Sequence, residues 1–292
     1  MIEPPARTSQ PVLPSGALDA LPPAAMARRA EEIGEAKATM APAKLFVLAV
    51  LAGAFIALGA IFATTVMSGS GNVAYGVERL LGGLAFSLGL VLVVVAGAEL
   101  FTGNNLMVMA WASRRVTARR FVGNLALVYL GNFTGALLTA AIMLLTKQYT
   151  FGSGTVGEEA LTIAAAKTDL GFLQAVALGA LCNALVCLAV WLTYSARTTA
   201  DKILAVIPPI AAFVAAGFEH SVANMYFIPI GLFVKADEGW VAAAGDLPDL
   251  SGLTWTAFFA DNLLPVTIGN TIGGTVMVGA LYWFVYLRGN ER

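Results

Sequence analysis

Charge is scarce in this chain. Asp, Glu, Lys and Arg make up 12% of its 292 residues and leave a net charge of -1, so there is no broad basic face for nucleic acid, and no nucleic-acid motif is present. There is one histidine, His220, which excludes a haem held between paired imidazoles. Cysteine is almost missing as well. Cys182 and Cys187 share one apolar stretch; they suggest neither a disulfide framework nor a metal knuckle and read as small packing residues. With no nucleotide loop and no metal-binding word, the sequence implies no cofactor, no metal site and no enzyme.

Apolar residues fill the space instead. They reach 58% of the chain and the mean hydropathy is +0.78, which is a multi-span membrane protein rather than a soluble domain. Residues 1–21, with Pro4, Pro5, Pro11 and Pro14, read as a disordered tail. They lack the basic end and apolar run of a signal peptide and are expected to stay with the mature protein. Over 22–41, Met26, Ala30, Ile33 and Met40 recur at helical spacing among charged residues, which predicts an amphipathic helix, either at the membrane interface or solvated. The membrane-spanning part is 42–292. Its spans fall at about 45–67, 80–112, 121–145, 172–192, 203–234 and 253–287, each long enough to cross roughly 30 Å of hydrocarbon, and Pro265 is expected to kink the last.

Two of these spans are interrupted in the same way. Gly97-Ala98-Glu99-Leu100-Phe101-Thr102-Gly103-Asn104 breaks the second, and Gly217-Phe218-Glu219-His220-Ser221-Val222-Ala223-Asn224 breaks the fifth, with glycine, glutamate and asparagine each 120 positions apart. A second pair of words, Gly131-Asn132-Phe133-Thr134-Gly135 and Gly269-Asn270-Thr271-Ile272-Gly273, lies in spans three and six. Three spans per half is an odd number, so the halves, about 42–146 and 170–288, cross in opposite senses. Paired broken helices in inverted repeats point to a transport site. Unwound backbone at membrane depth needs burial or a wet cavity, and helices restarting near Asn104 and Asn224 would aim the positive ends of their dipoles there, favouring anions. His220 can then answer a bound anion with a proton. For a weak acid of pKa about 4 at pH 7, protonation costs about 4 kcal/mol, less than stripping a bare ion of water. Thr102 and Ser221 are expected to cap the restarting helices, alone or together with contact to the cargo, Glu99 and Glu219 to satisfy loop amides, and Asn132 and Asn270 to pin helices while the glycines permit close approach.

Basic residues set the orientation. Arg7, Arg28, Arg29, Lys37, Lys44, Arg114, Arg115, Arg119, Arg120, Arg197, Lys202, Arg288 and Arg292, thirteen in all, fall on the side of the termini, and Arg79, Lys147, Lys167 and Lys235, four, on the other. That places both termini in the cytoplasm.

The words AGAELFTGNN (96–105), NALVCLAVW (183–191), GFEHSVANMYFIPIG (217–231) and DNLLPVTIGNTIGG (261–274) resemble the formate/nitrite transporter family, most of all its bacterial formate channel branch, from about residue 21 to the C-terminus. The resemblance implies an all-α, aquaporin-like bundle of six helices, assembled as a homopentamer in the inner membrane, each subunit with its own pore. It implies small monovalent anions as cargo, formate first, with nitrite, acetate or hydrosulfide beside it, and protons and membrane lipids as further partners; a nitrite or hydrosulfide carrier is the alternative. It places His220 at the centre of the pore, Thr102 in the second-span break and Asn183 near the histidine. Phe86 with Phe213 and Leu90 with Leu100 become two constrictions, and Lys167 an anion-attracting vestibule residue. Asn224 and Asn270 join Glu99 and Glu219 as supports of the breaks. The chain departs from the family at Gly103-Asn104-Asn105, where small hydroxyl residues are usual, so loop gating transfers less safely than the pore.

Overall fold

The computed structural model describes residues 20–289 apart from 70, 72 and 246. The tail expected over 1–21 lies outside them except for its last two residues. Among the described residues the chain is helical with no strand. α1 (Pro23–Ala38) opens with proline in its first turn, where the missing N–H costs nothing. Met26, Ala27 and Ala30 are buried in a cluster with Leu106, Val108 and Met109, so α1 is docked on the protein rather than solvated.

The long helices follow: α2 (Pro42–Met67), α3 (Tyr75–Leu92, extended by a π-helical turn to Gly97), α6 (Ala118–Thr146), α8 (Phe172–Ser195) and α12, a continuous run over Trp255–Tyr286. These five are long and apolar enough to cross a membrane. Between α3 and α6 lie the short α4 (Phe101–Asn104) and α5 (Val108–Ala112). α7 (Thr155–Thr168) precedes α8, and the stretch expected as the fifth span is divided into α9 (Thr199–Ala215) and α10 (Ser221–Lys235), with α11 (Glu238–Ala243) after it. The chain is an all-α, multi-pass membrane protein. Helices such as α2 are apolar all round because one side meets the bundle and the other carries Val47, Leu51, Leu58 and Phe62 outward, as expected of a span.

Both breaks are shorter than the sequence suggested. Helix resumes at Phe101 and Ser221, not near Asn104 and Asn224. The turn out of each preceding helix is made by Gly97 (φ 84°) and Gly217 (φ 73°), a conformation that a side chain disfavours. The G-N-x-x-G words act as expected by close approach: a Cβ on Gly135 would collide with the Val50 carbonyl of α2, and one on Gly273 with the Ala180 carbonyl of α8. Pro265 follows a π-helical turn, Phe258–Leu263, and begins the next α-helical stretch, which absorbs its missing donor.

Candidate functional site

The two breaks meet. Thr102 Oγ1 lies 3.1 Å from His220 Nε2, both buried. His220 also caps its own helix, its Nδ1 accepting from the Ala223 backbone N–H at 3.1 Å. With Nδ1 an acceptor, the neutral ring carries its proton on Nε2 and donates it to the threonine oxygen. A second proton on Nδ1 would break the cap. Thr102 and Ser221 do not cap, contrary to expectation. His220 caps α10, α4 has no side-chain cap, and the leading amides are held from the neighbouring helices, Phe101 N donating to Asn132 Oδ1 (2.8 Å) and Ser221 N to Asn270 Oδ1 (2.9 Å). The first amides are therefore less open to the lumen than the sequence reading assumed.

Each asparagine does the same work in its half. Asn132 Nδ2 donates to the Ala49 and Glu99 carbonyls, and Asn270 Nδ2 to those of Gly179 and Glu219. Behind them the glutamates are bound to side chains, not loop amides. Lys37 and Asn104 both donate to Glu99 Oε2 at 2.8 Å, and Asn104 also to Asn124 Oδ1. In the other half Lys167 donates to Glu219 Oε1 at 2.8 Å, Asn224 to Glu219 Oε2 and to Asn262 Oδ1. Asn124 and Asn262 close each cluster by donating to the backbone carbonyls of Lys37 and Lys167.

A cavity lies on each side of the Thr102–His220 contact. The α7-side cavity, about 50 Å³, is lined by Phe86, Phe213, Lys167, Arg79, Asn224 and His220. The Phe86 and Phe213 rings meet edge to face at 5.7 Å, and Phe213 stacks on His220 at 5.9 Å. Lys167 sits 5.5 Å over the Phe227 ring. Arg79, counted in the sequence only toward the orientation, donates to the Val214 carbonyl at 2.7 Å while its buried Nε has no hydrogen-bond partner among the described residues. The α1-side cavity, about 340 Å³, runs from Arg29, Lys37 and Lys202 to Leu90 and Leu100. Both leucines are 2% exposed.

Asn183 is tied to the site through Asn270. It is fully buried, donates to the Asn270 carbonyl at 2.6 Å and accepts from Cys187; among the described residues no hydrogen bond joins it to His220. Cys187, read as packing, also donates to the Thr102 carbonyl at 3.3 Å, and so steadies the residue facing the histidine. Lys37, Asn124 and Asn262 were missed. The eight-residue spacing Asn124 to Asn132 and Asn262 to Asn270 puts each pair on one helix face and was the available signal.

A buried polar contact between two broken helices, with a charged cavity on either side, inside a bundle of membrane spans, is the architecture of a channel or transporter. The formate/nitrite transporter family model matches residues 24–284. The formate channel FocA of Escherichia coli K12 is 47% identical over 277 residues, 94% of this chain and 97% of that one; the FocA of Haemophilus influenzae is 40% identical over 263 residues, 89% of this chain and 93% of that one. Among solved structures, a pentameric formate channel with formate bound matches with a TM-score of 0.79 at 44% identity, covering 85% of this chain and 98% of that one. The chain belongs to the formate/nitrite transporter family.

Proposed function

We propose that this chain is a channel for formate and related small monovalent anions, moved together with a proton, and that five copies assemble in an inner membrane with both termini in the cytoplasm. The observation that carries the reading is the Thr102–His220 contact separating two cation-bearing cavities. The relatives named formate channels, and the pentameric, formate-bound structure, support cargo and assembly. The excess of basic residues beside the termini supports the orientation.

An anion entering from the α7 side meets Lys167 and Arg79 first. Lys167 is held by Glu219 at 2.8 Å, so its field is softened and capture stays reversible. Past the Phe86–Phe213 pair the anion loses its water in an apolar throat. His220 Nε2–H and the Thr102 hydroxyl then offer two donors in place of that water. A proton taken from water onto Nδ1, which releases the Ala223 cap, makes the ring an imidazolium; it can then hand the Nε2 proton to the carboxylate and return to a neutral ring, and the neutral acid crosses the Leu90 and Leu100 narrowing without the cost of a bare charge. Proton loss on the far side, beside Lys37, completes passage. Nitrite, acetate and hydrosulfide are small monovalent anions of weak acids as well, and lipids surround the assembly.

Proteoliposomes loaded with each anion in turn, with proton movement followed in parallel, test this. Formate should pass with a matching proton signal. Ready passage of nitrite or hydrosulfide with none of formate would transfer the assignment to those anions.

A further inference from the structure

The α1-side mouth is built for more charge than one small anion brings. Its cavity of about 340 Å³ carries Arg29, Lys37 and Lys202, against about 50 Å³ on the α7 side. Lys37 is committed to Glu99 and Asn104. Arg29 and Lys202, half-buried on α1 and α9, form no ion pair among the described residues. Arg29 and Ile33 are shared with an adjoining cavity of about 520 Å³ that Arg28 and Glu32 also line. Uncompensated cations over a volume within the range of small-molecule sites, roughly 300 to 1,000 Å³, mark a ligand larger and more highly charged than formate.

We propose that this mouth binds a soluble multivalent anion bearing phosphate groups, a pyrophosphate or phosphate ester, which seats between Arg29 and Lys202 and plugs the approach to Leu90 and Leu100. The inference deepens the transport reading and rests on it for the word plug. A guanidinium takes phosphate oxygens in pairs through its fixed fork, and an ammonium adds a point charge. Each added negative charge gains attraction from every cation in the mouth, so a di- or trianion is held where formate only passes. The wall is formed by Leu90, Val93, Leu100 and Tyr194, interior groups, whereas the lipid-facing ridge of α2 carries Val47, Leu51, Leu58 and Phe62. A soluble anion therefore fits the mouth better than a phospholipid headgroup.

Calorimetric titration of the purified full chain with inorganic pyrophosphate should show saturable binding, weakened about tenfold or more in R29Q/K202Q, the range seen when charged partners at an interface are removed. The charge-keeping pair R29K/K202R should retain most of the affinity, which separates lost charge from lost folding. In vesicles of known protein orientation, pyrophosphate on the α1 side alone should block formate flux through the wild type and R29K/K202R, while the flux of R29Q/K202Q, taken relative to its own uninhibited level, should need about tenfold more pyrophosphate for the same block. Equal inhibition by sodium chloride at matched ionic strength, or unchanged pyrophosphate binding by R29Q/K202Q, overturns the proposal. So does a result in which only vesicles containing anionic phospholipid distinguish the variants, because that assigns the cations to lipid. Should the wild type bind pyrophosphate in the way described yet pass no formate, the site stands and the transport reading alone fails.

Discussion

His220 serves two masters with its two nitrogens. Nδ1 ends the backbone ladder of α10 and Nε2 faces Thr102, so structural and transport roles can be separated by substitution. Asparagine is a good cap through its short side-chain oxygen but offers no titrating nitrogen. His220→Asn is therefore expected to fold and assemble, with a melting temperature close to the wild type, while formate flux loses its proton signal. Unchanged proton coupling in liposomes would demote the imidazole to a cap. Arg79 is the second residue whose roles separate. Arg79→Gln keeps a donor for the Val214 carbonyl and removes the charge. The half-saturation concentration for formate entering from the α7 side should rise several-fold and flux at saturating formate should hold, since a charge at the entrance, away from the Thr102–His220 contact, acts chiefly on encounter.

Among elements, the two broken helices depend on their neighbours more than on themselves. Asn270, fully buried, makes three hydrogen bonds with its side chain, accepting from the first amide of α10 and donating to two backbone carbonyls. Asn270→Ala leaves those groups unpaired at about 1–3 kcal/mol each, so the variant should lose several kcal/mol of stability, read as a lowered midpoint of unfolding in detergent. Asn132→Ala should cost much the same, because its three bonds mirror the set. Gly217 is a different test. A Cβ there meets no atom within 4 Å, yet φ is 73°. Gly217→Ala should therefore cost only the left-handed backbone penalty, about 1–2 kcal/mol, with the pore unblocked. A complete loss of flux in a folded Gly217→Ala would show that the turn moves during transport.

At the scale of the molecule, one chain exposes apolar ridges on several sides, Leu58 and Phe62 of α2 and Leu281, Phe284 and Val285 of α12 among them. Sedimentation or mass photometry in mild detergent should find five chains per particle; a stable monomer with full transport activity would remove the pentamer from the proposal. The class of protein was readable from the chain alone because a membrane imposes long apolar runs, and because two glycine-bearing interruptions 120 positions apart have few other uses. Where the helices restart was not readable, since the leading amides of α4 and α10 are capped by Asn132 and Asn270 from other helices, a contact with no local signature. The pairing of Lys37 with Glu99 was hidden for a related reason: Lys37 and Lys167 are 130 positions apart while Glu99 and Glu219 are 120 apart, and unequal loops mask an equivalence that folding restores. Sequence by itself determined the membrane spans, the repeat and the histidine, because these follow from composition and spacing. Only the tertiary structure decided that His220 meets Thr102, that the glutamates belong to lysine and asparagine clusters and that Asn183 binds the Asn270 carbonyl, because each is a contact between segments whose distance along the chain says nothing of their distance in space.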